Sequence, residues 1–258
     1  MLGAILGDMI GSYYEIHPEV ERLPSMKMKW HDYSDDTVLT VATMEALLNN
    51  EDYAKSYRNY FMNNQERDYG RRFIEWARDE KMPAYGSYGN GAAMRISPIA
   101  FMAENECWLE KEVYQSATVS HNHPAALTGA QAIAFCIFWL KEGKDKRYLK
   151  KEVERRFHYD LDFRIIEIRK SYTFDASASG SVPQAIKCFL ESENLMQAIG
   201  NAVYLGGDMD TIAGMAGALG EAAYGIKRAL ANTILSRLPK EYQNTVKKFY
   251  NKSLARRL

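Results

Sequence analysis

Cysteine is scarce in this chain, and its three copies, Cys107, Cys136 and Cys188, share no spacing that would pair them on a metal. An odd number in a chain of 258 residues argues against a disulfide framework and fits a reducing compartment, so a cytoplasmic location is expected. Charge of one sign is also missing, because 33 basic and 33 acidic residues cancel. That balance removes any global electrostatic case for nucleic-acid or membrane binding. Only the C-terminal stretch departs from it: Lys240, Lys247, Lys248, Lys252, Arg256 and Arg257 face Glu241 alone, the pattern of a solvated helix face. There is no long apolar run. The longest, Ala125 to Leu140, carries Thr128 and Gln131 and reads as a buried central helix too short to span a bilayer. The first residues lack a basic region and include Asp8, so they are not read as a signal peptide. Absent too are any alternation of strand and helix, any period of roughly 20–50 residues and any low-complexity linker. An all-α fold of about a dozen helices in one domain over 1–258 is therefore expected.

What is present is helical periodicity. Gly3, Gly7 and Gly11 recur at i, i+4 and i+8, a stripe that permits a very close helix contact. Residues 38–49 predict a helix with Leu39, Ala42, Thr43, Ala46 and Leu47 on one face, and Tyr53, Tyr57, Tyr60 and Phe61 mark the next. Further stripes fall at Phe73, Ile74 and Ala77, at 113–119, at 125–141, at Leu149, Val153 and Phe157, and at Leu195, Ala198, Ile199, Ala202 and Val203. Ser181 as N-cap with Pro183 near the first turn predicts another helix start. Residues 163–168, Phe-Arg-Ile-Ile-Glu-Ile, are the one credible strand.

Two acidic clusters stand at predicted helix starts. Gly206-Gly207-Asp208-Met209-Asp210-Thr211 opens a small, apolar helix that can pack closely against its neighbours, and Ser34-Asp35-Asp36-Thr37 opens another far upstream. Asp210 alone could be a simple N-cap. Two such clusters suggest one shared site: four carboxylates and two or three hydroxyls would repel unless cations neutralised them, and a pair of divalent ions is the economical explanation. An EF-hand does not fit, since Ile212, Ala213 and Leu219 stand where that loop needs an oxygen ligand, glycine and glutamate. Glu15, beside Ser12-Tyr13-Tyr14, is either a surface residue or an acid with a raised pKa. It leads into a predicted loop with Pro18 and Pro24. Tyr85-Gly86-Ser87-Tyr88-Gly89-Asn90-Gly91 enters helical Ala92-Ala93-Met94-Arg95; a phosphate cradle in principle, it matches no P-loop or dinucleotide fingerprint and by spacing reads as a plain loop. His121 and His123 flank Asn122 before Pro124, where hydrogen bonds to a ligand or to helix ends are favoured over metal ligation.

Taken together and in this order, these motifs, with Gly7-Asp8 and Ser181-Val182-Pro183-Gln184, resemble the ADP-ribosylglycohydrolase family, all-helical dimetal enzymes that remove ADP-ribose from modified proteins. The resemblance runs nearly end to end. It implies that Ser34, Asp35, Asp36, Asp208, Asp210 and Thr211 bind two Mg²⁺ or Mn²⁺ ions. It also implies that Ser87, Tyr88, Gly89 and Asn90 cradle the diphosphate, that His121 touches the ribose at the scissile bond, and that Glu15 protonates the leaving group or activates water. Ser34 replaces the commoner threonine, and Met209 is bulkier than the usual residue between the acids, so it is expected to narrow that wall of the cleft. The implied substrate is an ADP-ribosylated protein, serine O-linked favoured over arginine N-linked, or a small ADP-ribose conjugate, with the enzyme a monomer. Two other readings are a haloacid dehalogenase-type phosphatase, suggested by Asp-Met-Asp-Thr, and a catalytically silent ADP-ribose-binding partner, against which Glu15 and the intact ligand set argue.

Overall fold

The helix that opens on the second acidic cluster, Met209–Tyr224, is buried along nearly its whole length, and the rest of the chain is laid around it. The computed structural model describes residues 1–17 and 28–255; the loop expected at Pro18 and Pro24 and the tail residues Arg256 and Arg257 lie outside these. Among the described residues there are fifteen helices and no strand. In chain order they are α1 (Leu2–Ile16), α2 (Asp35–Asn49), α3 (Tyr53–Met62), α4 (Arg71–Arg78), α5 (Gly91–Met94), α6 (Ser97–Met102), α7 (Glu106–Thr118) and α8 (Pro124–Lys141). There follow α9 (Lys146–Phe157), α10 (Ile165–Ile168), α11 (Ala178–Leu190), α12 (Leu195–Leu205), α13 (Met209–Tyr224), α14 (Arg228–Arg237) and α15 (Lys240–Ala255). One continuous apolar core runs through them, so the all-α expectation holds and the phosphatase reading, which needs a buried strand ahead of its acidic motif, does not.

Helix starts follow side-chain chemistry. Ser34, Asp52, Asn105, Asp145, Ser177 and Asn194 each accept a backbone N–H from two or three residues on, satisfying donors that the first turn leaves orphaned. At the other end of α2, Lys252 donates from α15 to the carbonyls of Leu47 and Leu48, so this lysine is a cap on a neighbouring helix and not part of a solvated face.

Three local expectations are corrected. The strand at 163–168 is instead the short helix α10: the carboxylate of Glu167 accepts the Arg164 N–H at 3.1 Å, and only Ile165 of its isoleucines is fully buried. Ser181 is not the cap of α11. That helix begins a turn earlier, where the Ser177 hydroxyl accepts the Gly180 N–H, and Ser181 lies inside it, fully buried, with Pro183 in its interior. The apolar run around 125–140 extends from Pro124 to Lys141, and at 18 residues it is long and apolar enough to cross a membrane by length and composition. Here it is packed among α5, α6, α7, α9, α11 and α13, as a central helix of the core.

Candidate active site

The site is set by the contact of α1 with α13. A Cβ at Gly7 would lie 2.0 Å from the Ala213 carbonyl oxygen, and one at Gly11 would lie 2.4 Å from Asp210 Cα. Backbone meets backbone along this line, and only glycine permits it. The α1 side of the contact carries Asp8 and Glu15; the α13 side begins with Asp208 and Asp210. The turn into α13 is equally constrained: Gly207 has φ +82°, and its missing Cβ would be 2.4 Å from the Tyr172 ring.

Asp8 draws the other cluster in. Its buried carboxylate accepts the N–H groups of Ser34 at 3.1 Å and Thr37 at 3.0 Å, together with the hydroxyls of Thr37 and of Ser12. The start of α2 is thereby tied to the middle of α1. The hydroxyl of Thr211 then donates to Asp36 Oδ1 at 3.3 Å, joining the two acidic helix starts directly. Asp208 is oriented from a third direction, by the side-chain amide of Asn90 at 2.7 Å, which also donates to the Ser181 hydroxyl at 3.1 Å. Glu15 accepts the Met209 N–H at 3.0 Å. Glu15, Asp208 and Asp210 each bring an oxygen atom within 4.8 Å of the others.

This much negative charge in one place is costly. Burial, followed by the charges of neighbouring acids, pushes the carboxyls of Asp35, Asp36 and Asp210 well above their usual range. Burial raises Asp8 too, against the pull of its four donors. Glu15 is an exposed residue, yet its carboxyl is pushed up to about 7, by partial burial first and then by the charge of Asp208. Asp36 Oδ2 is buried and has no hydrogen-bond partner, which is the mark of an oxygen built to meet something other than a protein donor. Hard oxygens, anionic and converging at the positive ends of α2 and α13, suit a hard divalent cation. Asp35, Asp36, Asp208 and Asp210, with the hydroxyls of Ser34 and Thr211, could hold one, and Glu15 is close enough to join them.

A cleft of about 630 Å³ opens over this cluster and is lined by Asp35, Asp36, Asp208, Asp210 and Thr211 together with Ser87, Tyr88, Gly89, Asn90 and His121. The glycine loop therefore faces the acids. It is held there by two backbone bonds to the segment before α11, Asn90 N–H to Ala176 O at 2.9 Å and Ala178 N–H to Tyr88 O at 3.0 Å. Asn90 thus spends its backbone N–H and its side-chain amide hydrogens on the protein, orienting Asp208, while the residue itself still lines the cleft. His123 caps α8, its Nδ1 accepting the Ala125 N–H at 3.1 Å. A second cavity of about 430 Å³, lined by Ser12, Glu15, Ser34 and Arg67, shares Asp68, Phe174, Asp208 and Asp210 with the first. Met209 lines neither: its side chain is buried, so it does not narrow the cleft. A separate cavity of about 560 Å³ beside Tyr53 and Trp108 contains none of the motif residues.

Sequence reasoning brought together the acids and the glycine loop but gave no role to Asp8, Asp68, Arg95 or Phe174. An acid inside an apolar, glycine-striped helix was the available signal for Asp8. Asp68 and Phe174 sit in loops without a motif, and nothing local marks them.

The fold and the cluster define a class of protein, all-helical, with converging acidic oxygens that could hold a metal ion in the lining of a cleft. Residues 1–258 match the family model described as ADP-ribosylglycohydrolase, and the chain belongs to that family of glycosidases. It is 26% identical over 306 residues to ADP-ribosylhydrolase ARH3 of Homo sapiens, covering 88% of this chain and 84% of that protein. Over 252 residues it is 24% identical to the ADP-ribosyl-(dinitrogen reductase) glycohydrolase of Rhodospirillum rubrum, with 87% and 84% covered. A solved structure described as an ADP-ribosylglycohydrolase-related protein complex shares the fold, with a TM-score of 0.69 at 22% identity over 98% of this chain and 97% of that one.

Proposed function

We propose that this protein is a divalent-metal-dependent hydrolase that cleaves the bond between the anomeric carbon of ADP-ribose and a modified side chain, serine O-linked in preference to arginine N-linked. The observation that carries the reading is the buried, unpartnered Asp36 Oδ2 among acids whose ionisation is suppressed in the absence of a cation. Two Mg²⁺ or Mn²⁺ ions, held by Ser34, Asp35, Asp36, Asp208, Asp210 and Thr211, would neutralise the cluster and supply a Lewis acid for ribose hydroxyls and water. Ser87, Tyr88 and Gly89 line the wall suited to the diphosphate, and His121 lies on the same wall within reach of a sugar or phosphate oxygen.

Glu15 does not line the first cleft but a second cavity that shares Asp208 and Asp210 with it, which is the space we assign to the leaving group. Partial burial, the larger cause of the raised Glu15 titration, does not depend on the charge of Asp208, and a carboxyl raised in this way is suited to protonate a departing oxygen and then deprotonate water. An alkoxide needs that proton more than a guanidinium, which can leave neutral, and this favours the O-linked substrate. The Met209 N–H holds the carboxylate at the start of α13, so proton transfer takes place at a fixed point beside the acids.

The test is incubation of the purified protein with ADP-ribosyl-serine and ADP-ribosyl-arginine peptides, with and without EDTA, reading free ADP-ribose. Release from the serine peptide that EDTA abolishes is expected. Full activity in excess EDTA would remove the metal from the reading, and cleavage confined to the arginine peptide would reverse the linkage.

A further inference from the structure

Behind the glycine loop lies a polar chain that leads away from the acids. Arg95, fully buried at the end of α5, stacks its guanidinium 4.1 Å from the Tyr57 ring centre and has no carboxylate partner among the described residues. Its Nη2 donates to Ser120 Oγ at 2.9 Å and to the Ser116 carbonyl at 3.3 Å. Ser120, also fully buried, has its Oγ 2.8 Å from His121 Nδ1.

A guanidinium can only donate. The Ser120 oxygen is therefore an acceptor toward Arg95, and its own proton, on a fully buried side chain, needs an acceptor. His121 Nδ1 is the one remaining partner of that oxygen among the described residues. From this chain of bonds we infer that Arg95 and Ser120 are positioning residues that lock His121 as the neutral Nε2–H tautomer, a permanent hydrogen-bond donor to a substrate oxygen and not an acid–base group. The substrate oxygen rests on the ADP-ribose reading above; the tautomer does not.

The surroundings agree. The Nε2 edge lies against the loop, where a Cβ at Gly91 would be 2.7 Å from Nε2, and His121 lines the cleft. The ring's other neighbour is Tyr85, edge-on at 5.8 Å between centroids, whose hydroxyl is pushed up to about 12 chiefly by burial and so stays neutral. Burial, then the Arg95 charge, holds the imidazole well below its ordinary range. An imidazolium would turn Nδ1 into a donor and leave the Ser120 proton without its acceptor. A neutral donor suits a ribose hydroxyl or phosphate oxygen, which accepts at any working pH.

Nitrogen NMR of the ¹⁵N-histidine-labelled protein reads this directly, because the chain has only five histidines, and a His121→Gln variant assigns the signal. The expected result is a protonated Nε2 and an unprotonated Nδ1 that do not change from about pH 5 to 9, a window across which an ordinary histidine titrates. Ser120→Ala should release the lock, giving a tautomer mixture and an ADP-ribose affinity lower by roughly tenfold, the size of one lost hydrogen bond. Ser120→Thr, which keeps the hydroxyl, should restore both. A protonated Nδ1, or a ring that titrates near 6.5, in the wild-type protein overturns the inference even if the variants fail to fold. So does an unaltered Nε2–H tautomer in folded Ser120→Ala. A locked ring in a protein that does not bind ADP-ribose would leave the relay standing and remove the proposed substrate.

Discussion

At the scale of single residues, the cluster behaves as a set of anions that the folded chain brings too close together. Asp36→Asn or Asp210→Asn removes one hard ligand and one repulsive charge at once, and the two effects should separate in experiment. Turnover and metal binding are expected to fall by at least roughly 10²-fold, while the metal-free variant melts higher than metal-free wild type; a lower melting temperature for both metal-free variants would contradict this account of the repulsion. Glu15→Gln should cut turnover on ADP-ribosyl-serine by roughly 10²-fold with little change in ADP-ribose affinity, measured by calorimetry, because the carboxyl handles a proton and the binding surface lies elsewhere. Both acidic clusters were legible in the sequence as contiguous motifs at helix boundaries, whereas Glu15 and the glycine loop gained roles only from the family resemblance. Asp8 stood out as an acid in an apolar helix, but its partners did not: its hydrogen bonds reach Ser34 and Thr37, 26 and 29 residues away, and no local pattern encodes such a partner.

At the scale of elements, the contact between α1 and α13 governs the geometry, and it was foreshadowed by the spacing of Gly3, Gly7 and Gly11. Gly7→Ala would drive a methyl into the Ala213 carbonyl, and a backbone cannot yield as a side chain does. Denaturant titration should show a loss of about 3 kcal/mol or more, with metal affinity falling in parallel. Gly70, which caps α4 with φ −58° and has nothing within 4 Å of a would-be Cβ, provides the contrast: Gly70→Ala meets no atom and should cost only the poorer N-cap, about 1 kcal/mol or less. The helices were readable because burial on one face imposes a 3.6-residue period. Residues 163–168 misled because isoleucine favours strands, and whether a strand finds a partner is decided elsewhere in the chain. Ser181 misled for a related reason: its hydroxyl caps no N–H of its own helix but donates back to the Ser177 carbonyl and accepts from Asn90 across the site.

At the scale of the whole molecule, the acids make stability depend on pH in an unusual direction. Asp8, Asp35, Asp36, Asp210 and Glu15 all titrate higher in the folded protein than in the unfolded chain, so the metal-free fold binds more protons than its unfolded state. Its stability should therefore fall as pH rises from about 4, the unfolded value of a carboxyl, through about 7, the folded value for Glu15. Thermal melts in EDTA across that window test the sign. Saturating Mg²⁺ or Mn²⁺ should reverse the trend and add about 2.7 kcal/mol at a hundredfold excess over its dissociation constant. The same layout governs synthesis. Glu15 is bonded to a residue 194 positions later, and at about 5–20 residues per second the ribosome needs roughly 10–40 s to supply it. For that interval α1, apolar and lined with glycine to fit a helix that does not yet exist, has emerged without its partner. A nascent chain arrested before residue 209 would keep that surface without its partner for as long as the arrest lasts.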